Sequence, residues 1–444
     1  MTRAKSLPEA DHGRRRFLKV AALSAGAAAA GCTAKNPVTG ESQLMFVSRQ
    51  EEIAIDQQQA PQQFSADYGP VQDDALNVYV SSVGEKIAEL SHRPDMPYSF
   101  RVVNAAYVNA YAFPGGSIAC TRGILVELDN EAQLAALLGH EIGHVNARHT
   151  ASRMSKGMVT QLVLGLGAAA AGAAVPELGQ VASTVSQLGT SALLAHYSRD
   201  DERQADDIGM EYMTRAQYSP KGMIQLMEML NGLHEGQASG IETLFATHPM
   251  SSERLQSAVA EANRRYAQFM DHPLLRSRFM DHTVALRKIK PAILDMRRAM
   301  DSMGAEKFGE AESQLRGALK IVPDDYAALL MLAKACLAQK QLADAATYAA
   351  RAREVYPEEP QAHLVLGYLD LNRNRYSSAY EALTEYDRLM PGNPDVIFMR
   401  GLAREGMNDK DAAAKLYYAY LRKVNSGEQA QYAYMRLKQW GYLN

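Results

Sequence analysis

The sequence predicts an α+β, mostly helical protein: a first domain with a small β-sheet, followed by an all-α solenoid. Three observations predict it. Apolar residues recur at helical spacing, as in Leu134, Leu137, Leu138, Ile142 and Val145. Three short runs, 98–103, 109–113 and 117–121, read as strands around Gly115-Gly116. Towards the C-terminus, prolines and small residues return with one fixed period. The chain has 444 residues and a net charge of −3. Domains of ~100–200 residues make two or three of them the expectation. The near-zero charge argues against nucleic acid, whose phosphates require a basic face. Cys32, Cys120 and Cys336 are too few and too scattered for a disulfide framework or a thiolate metal site, and the last two read as buried free thiols.

Residues 1–31 read as an export signal. Arg14 to Lys19 resembles the twin-arginine motif R-R-x-F-L-K, and an Ala-rich apolar run to Ala30 follows. That run is too short and too weakly apolar for a permanent span of ~20 residues. Gly31-Cys32 resembles the end of a bacterial lipobox, so Cys32 is the expected lipidation site, although Ala29 stands where such boxes usually carry Leu. The competing reading is a plain signal cut beside an incidental cysteine. Thr33 after the cysteine favours, by resemblance, the outer membrane. Residues 32–60 read as a tether and a first helix, 61–275 as the first domain, 276–291 as a connecting helix and 292–444 as the repeat array with a capping helix.

The strongest chemical signal is His140-Glu141-Ile142-Gly143-His144. Asn130, with Gln133 three residues later, marks the start of its helix. His140 and His144 lie one turn apart and face the same way, so two imidazoles can hold one zinc ion. Glu141 can then act as general base toward a water there. A third ligand is needed. His149 is five residues past His144, about 500° around a continuous helix, and reads as structural. The better candidate is Glu202, one turn before Asp206 in an acidic run. Glu202 would complete a His-His-Glu set, and Asp206 would accept a hydrogen bond from the far nitrogen of a ligand histidine. Taken alone, that run reads as a solvated helix face.

Together these motifs resemble gluzincin zinc metallopeptidases of the HtpX and prenyl-protein-peptidase kind, in their soluble periplasmic BepA-like branch. Asn109-Ala110-Tyr111-Ala112-Phe113-Pro114-Gly115-Gly116, Thr121-Arg122-Gly123-Ile124-Leu125 and Thr247-His248-Pro249 with Arg254 match further family segments. The likeness covers about residues 45–265. It implies a zincin-type peptidase domain with one Zn2+ per chain. It implies an edge strand, here Asn109, Ala110, Tyr111 and Ala112, that pairs with extended substrate. It also implies that His248 can take the fourth metal position and act as a latch. The rival role for His248 is structural or at the transition state, with Arg254 as a second candidate for the oxyanion. The stretch 157–198, rich in Ala and Gly, reads either as a helical lid over the cleft or as a buried hairpin.

Pro323, Pro357 and Pro391 are spaced by 34 residues, as are Ala311, Ala345, Ala379 and Ala413. That period, with small residues where paired helices meet, is the tetratricopeptide (TPR) signature. Four units are expected from about Ala292 to Asn425, capped by a helix from Glu428 to Trp440. The expected function is a zinc endopeptidase of the bacterial envelope acting on misfolded or stalled outer-membrane proteins. The array would recruit substrate or assembly machinery, and the chain would sit in the periplasm, anchored to the outer membrane. The alternative is a non-proteolytic chaperone or assembly factor with a latent zinc site. The intact Glu141 favours catalysis.

Overall fold

The computed structural model describes residues 33–158, 196–236, 238–249 and 251–443. The export signal, Cys32 and most of the stretch 157–198 lie outside the described residues. Among the described residues no helix is long and apolar enough to cross a membrane.

Strands β1 (Thr33–Lys35) and β2 (Ser42–Leu44) form an antiparallel hairpin. Helix α1 (Arg49–Ala66) opens on a capping box in which Ser48 and Glu51 bond each other's backbone N–H groups. The expected tether is therefore folded. Phe46 N–H donates to Ser155 Oγ at 2.9 Å, and buried Glu52 accepts from Arg93 at 2.6 Å and Arg148 at 2.8 Å. A buried carboxylate needs such partners, and these two arginines make α1 part of the first domain rather than a leader to it. The expected boundary at residue 60 falls inside this helix.

Helix α2 (Asp74–Ala88) precedes the sheet, which consists of β3 (Ser99–Val103), β4 (Ala110–Ala112) and β5 (Ser117–Thr121). The order is β3-β5-β4, with β3 parallel and β4 antiparallel to the central strand. β4 is thus an edge strand, joined to β5 by the turn at Gly115-Gly116. Period-two alternation divides the sheet residues. Phe100, Val102, Ile118 and Cys120 join the main core; Val103, Tyr111, Phe113 and Ala119 join a second core with Ala151 and Met154.

A short helix, α3 (Arg122–Leu125), leads to α4 (Glu131–Ala147), which carries the histidine motif and is buried along its whole length. Asn130 caps it by accepting Gln133 N–H. At Arg148 the backbone turns left-handed, with φ +60°, and helical structure resumes over 149–158. Next come α5 (Arg199–Arg215), α6 (Lys221–Glu235), α7 (Glu242–Thr247), α8 (Ser252–Arg265), α9 (Arg276–His282) and α10 (Val284–Lys288).

Four helix pairs build the array: α11 (Lys290–Gly304) with α12 (Phe308–Ile321), α13 (Tyr326–Ala338) with α14 (Leu342–Val355), α15 (Pro360–Asn372) with α16 (Tyr376–Leu389), and α17 (Pro394–Gly406) with α18 (Lys410–Leu421). Helix α19 (Glu428–Gln439) closes the end. The 34-residue period has a steric basis. A Cβ on Gly401 would come within 2.6 Å of the Tyr417 ring, so only glycine lets this pair approach. Cys120 and Cys336 are buried free thiols.

The array packs on the first domain. Arg122 reaches Asp325 through two hydrogen bonds, at 2.6 and 3.0 Å. Fully buried Arg297 donates to Ala106 O and Glu127 Oε1, both at 2.7 Å. Glu359 accepts from the hydroxyls of Ser65 and Tyr326. These are bidentate or multiply satisfied contacts, the geometry in which a buried ion pair holds its place.

Candidate metal centre

α4 and α5 cross almost backbone to backbone. A Cβ on Gly209 would stand 2.8 Å from His140 N, and one on Gly143 would stand 3.1 Å from Ala205 O. This close crossing lets the short reach of Glu202, at the start of α5, end between the two histidines of α4. His140 Nε2 and His144 Nε2 are 3.0 Å apart. The Glu202 carboxylate lies 3.6 Å from the first and 3.3 Å from the second. His248, in the turn after α7, places Nδ1 3.0 Å from Glu202 and 3.4 Å from His140 Nε2. Ligand atoms of all four side chains fall within 4.8 Å of one another, and all four are buried.

The donor chemistry fits zinc. Three nitrogens and a carboxylate oxygen converge at the size of one four-coordinate cation. The far nitrogens are held as well. His140 Nδ1 is 2.9 Å from Asp206 Oδ1, which fixes the proton on Nδ1 and leaves Nε2 bare. His144 Nδ1 is 2.8 Å from His149 Nδ1, and His149 Nε2 is in turn 2.8 Å from Gln204 Oε1. Tyr197 stacks on the His144 ring at 3.8 Å.

Electrostatics follow from burial and these partners. Burial opposes charge on His140, but the Asp206 hydrogen bond and the Glu202 charge outweigh it and raise the imidazole above its ordinary range. Burial pushes His144 well below that range, against the pull of Glu202. Burial opposes ionisation of Glu202, yet the charges of His248 and His140 hold its carboxyl well below the usual value. Burial raises Glu141, whose Oε2 has no hydrogen-bond partner.

Two readings change. His149 does not face elsewhere: the left-handed turn at Arg148 ends the continuous helix on which the angular argument rested, and the ring returns to His144. Arg254 does not stand free for an oxyanion. Its Nε and Nη2 bind Asp206 at 2.6 and 2.7 Å, and its Nη1 lies 2.7 Å from Glu202. It is a clamp on the two acids, which together depress neither its charge nor its position: their carboxylates raise its pKa against burial. The sequence reading also missed Tyr197 and the glycines Gly139, Gly143 and Gly209. Small residues four apart on α4 were the available signal for the close crossing; Tyr197 carries none.

β4 runs beside α4 as the sheet's edge, and Ala110, Tyr111 and Ala112 are all buried. The Tyr111 hydroxyl donates to buried Asp67 at 2.6 Å. Asn109 is buried with Oδ1 unpartnered. An apolar recess lined by Met223, Leu226, Met227 and Leu230 adjoins His140 and Glu141.

Comparison with known proteins agrees with this arrangement. Residues 74–262 match the profile of peptidase family M48, and residues 302–368 match a tetratricopeptide repeat. The chain is 25% identical over 405 residues to the beta-barrel assembly-enhancing protease of Yersinia pestis, covering 82% of this chain and 80% of that one. It is 27% identical over 275 residues to the Escherichia coli K12 protein of the same name, where it spans 57% of itself and 56% of the relative. Metalloprotease LoiP of Escherichia coli K12 is 34% identical over 161 residues, covering 36% of this chain and 61% of that protein. The profile match spans both α4 and α5, and with them all three side chains of the His-His-Glu set. Residues 74–262 are therefore an M48 peptidase domain with a metallopeptidase's His-His-Glu set, followed by a tetratricopeptide array.

Proposed function

We propose that this protein is a zinc-dependent endopeptidase of the bacterial cell envelope that cleaves misfolded or stalled outer-membrane β-barrel proteins. The observation that carries the reading is the buried convergence of His140, His144 and Glu202 beside a carboxylate with a free oxygen. Bound there, zinc would lower the pKa of a water and polarise the scissile carbonyl. Glu141 Oε2, unpartnered and raised in pKa, takes the proton of the attacking water and passes it to the departing amide nitrogen. Asp206 orients His140, His149 orients His144, and Arg254 holds both acids in place.

Asn109, Ala110, Tyr111 and Ala112 form the strand that pairs with extended substrate. The place of β4 at the edge of the sheet supports this, since no strand among the described residues pairs with its outer side. The relatives named for β-barrel assembly support the substrate class, and the tetratricopeptide array supports recruitment of substrate or assembly machinery. A lipid on Cys32 would tether the chain to the outer membrane.

Glu141→Gln tests the reading. Zinc content by mass spectrometry of the metal should stay at one per chain while cleavage of an unfolded reporter falls by ~10²–10⁴-fold. Undiminished cleavage would remove Glu141 from the chemistry.

One observation favours a second reading, a non-proteolytic assembly factor with a latent site. His248 stands among the ligands themselves, 3.0 Å from Glu202. In the peptidase reading the same histidine is a latch that excludes water until it swings away. His248→Ala should then raise the cleavage rate; a fall with zinc retained would reject the latch.

A further inference from the structure

We propose that the cavity between α1 and the repeat array binds the carboxylate of an extended peptide through Lys334. The cavity has a volume of about 570 Å³. That is within the ~300–1,000 Å³ of ordinary ligand sites. Gln62 and Ser65 of α1 form one wall. Lys334 of α13, Gln361 and Leu364 of α15 and Asn393 before α17 form the rest. A ligand here touches both the peptidase domain and three successive repeats.

Lys334 sets the chemistry. Its ammonium has three donors. One is given to Gln361 Oε1 at 2.6 Å, and the charge rests over the Tyr68 ring at 5.0 Å. Among the described residues it makes no ion pair. The carboxylate whose field reaches it, Glu359, is already committed: its oxygens accept from the Ser65 and Tyr326 hydroxyls and from Gln361 N–H. A cation set in a cavity wall with spare donors selects an anion. The amide groups of Gln62 and Asn393 can pair with a peptide backbone, and Leu364, Met390 and Pro391 offer apolar contact to side chains. A small inorganic anion would leave most of that volume empty. The anionic group is therefore the carboxylate of a peptide, either its C-terminus or an acidic side chain.

This inference adds a definite chemistry to the recruitment reading. It is tested on the full-length chain in the Glu141→Gln background, where a peptide survives. The probes are a dansyl-labelled heptapeptide of Gly, Ala and Leu with a free C-terminal carboxylate, the same peptide as its C-terminal amide, and that amide with one internal Glu. Fluorescence anisotropy should show the free acid binding at least ~10-fold tighter than the plain amide. Tight binding of the Glu-containing amide would assign the site to acidic side chains; weak binding would assign it to C-termini. Lys334→Met should bring acid and amide to the same affinity, and Lys334→Arg should keep them apart. Gln361→Glu, which supplies an internal partner to Lys334, should also erase the preference. Equal binding of acid and amide by the parent chain, or a preference that survives Lys334→Met, would overturn the proposal. If unfolded protein is still captured by Lys334→Met as before, recruitment stands and only this carboxylate site falls.

Discussion

The two halves of the molecule use charge in opposite ways. In the peptidase domain, Glu202, Asp206 and Arg254 are buried, and the Arg254 guanidinium lies within 3 Å of both carboxylates. In the repeat array the ion pairs are mostly exposed, as between Arg388 and Glu385, and the core is alanine, leucine and tyrosine. The first arrangement is a single constellation that fails if one member is lost. The second is a repeated small-residue contact in which each unit supports its neighbours. Function concentrates where burial is costly; stability is distributed where burial is simple.

The largest effect that would break this contrast is expected at Arg254. Arg254→Met leaves two buried carboxylates facing each other and should cost ~3–5 kcal/mol by chemical denaturation. Arg388→Met in the array should stay within ~0.5 kcal/mol. Equal losses would show that the acids of the site are solvated after all.

A smaller effect is expected where the helices cross. Gly209→Ala sets a methyl group against the backbone of His140 and should cost ~1–3 kcal/mol while lowering zinc occupancy. Gly401→Ala presses instead on the Tyr417 ring, so it should lower stability with zinc unchanged. Metal analysis beside thermal melts separates the two. Loss of zinc in both variants would tie the array to the site more closely than the packing does.

The smallest effect concerns pH. Burial pushes Lys334 down to about 8 from an ordinary 10.5. Between those values the unfolded chain holds a proton that the folded chain has lost, so stability should rise with pH across that window. Lys334→Met should flatten the rise. A slope that persists in the variant would place the titrating group elsewhere.

Much of this molecule was legible along the chain. His140, Glu141 and His144 are read from one helix turn, because ligand geometry there is local. The pairing of Glu202 with Asp206 follows the same i, i+4 rule, and the repeats follow from a period that packing enforces at Gly401 and its equivalents. What lay beyond reading is non-local. One left-handed residue, Arg148, returns His149 to the site, and the partners of Arg254 lie 48 and 52 residues before it in the chain. The hairpin 33–44 reads as a tether because it is polar, and its contact with the end of α4, Asn36 Nδ2 to Ala147 O at 3.4 Å, lies 111 positions along the chain.

By itself the sequence determined the elements, the donor types and the periodicity, since each depends on spacings of a few residues. Only the tertiary structure decided which donor meets which acceptor: that the clamp, His149 and the stacked tyrosine surround the candidate ligands, and that Lys334 stands in a shared wall with no ion pair among the described residues. Such pairings depend on how two helices approach, and that distance is set by glycines whose role is invisible until the partner helix is in place.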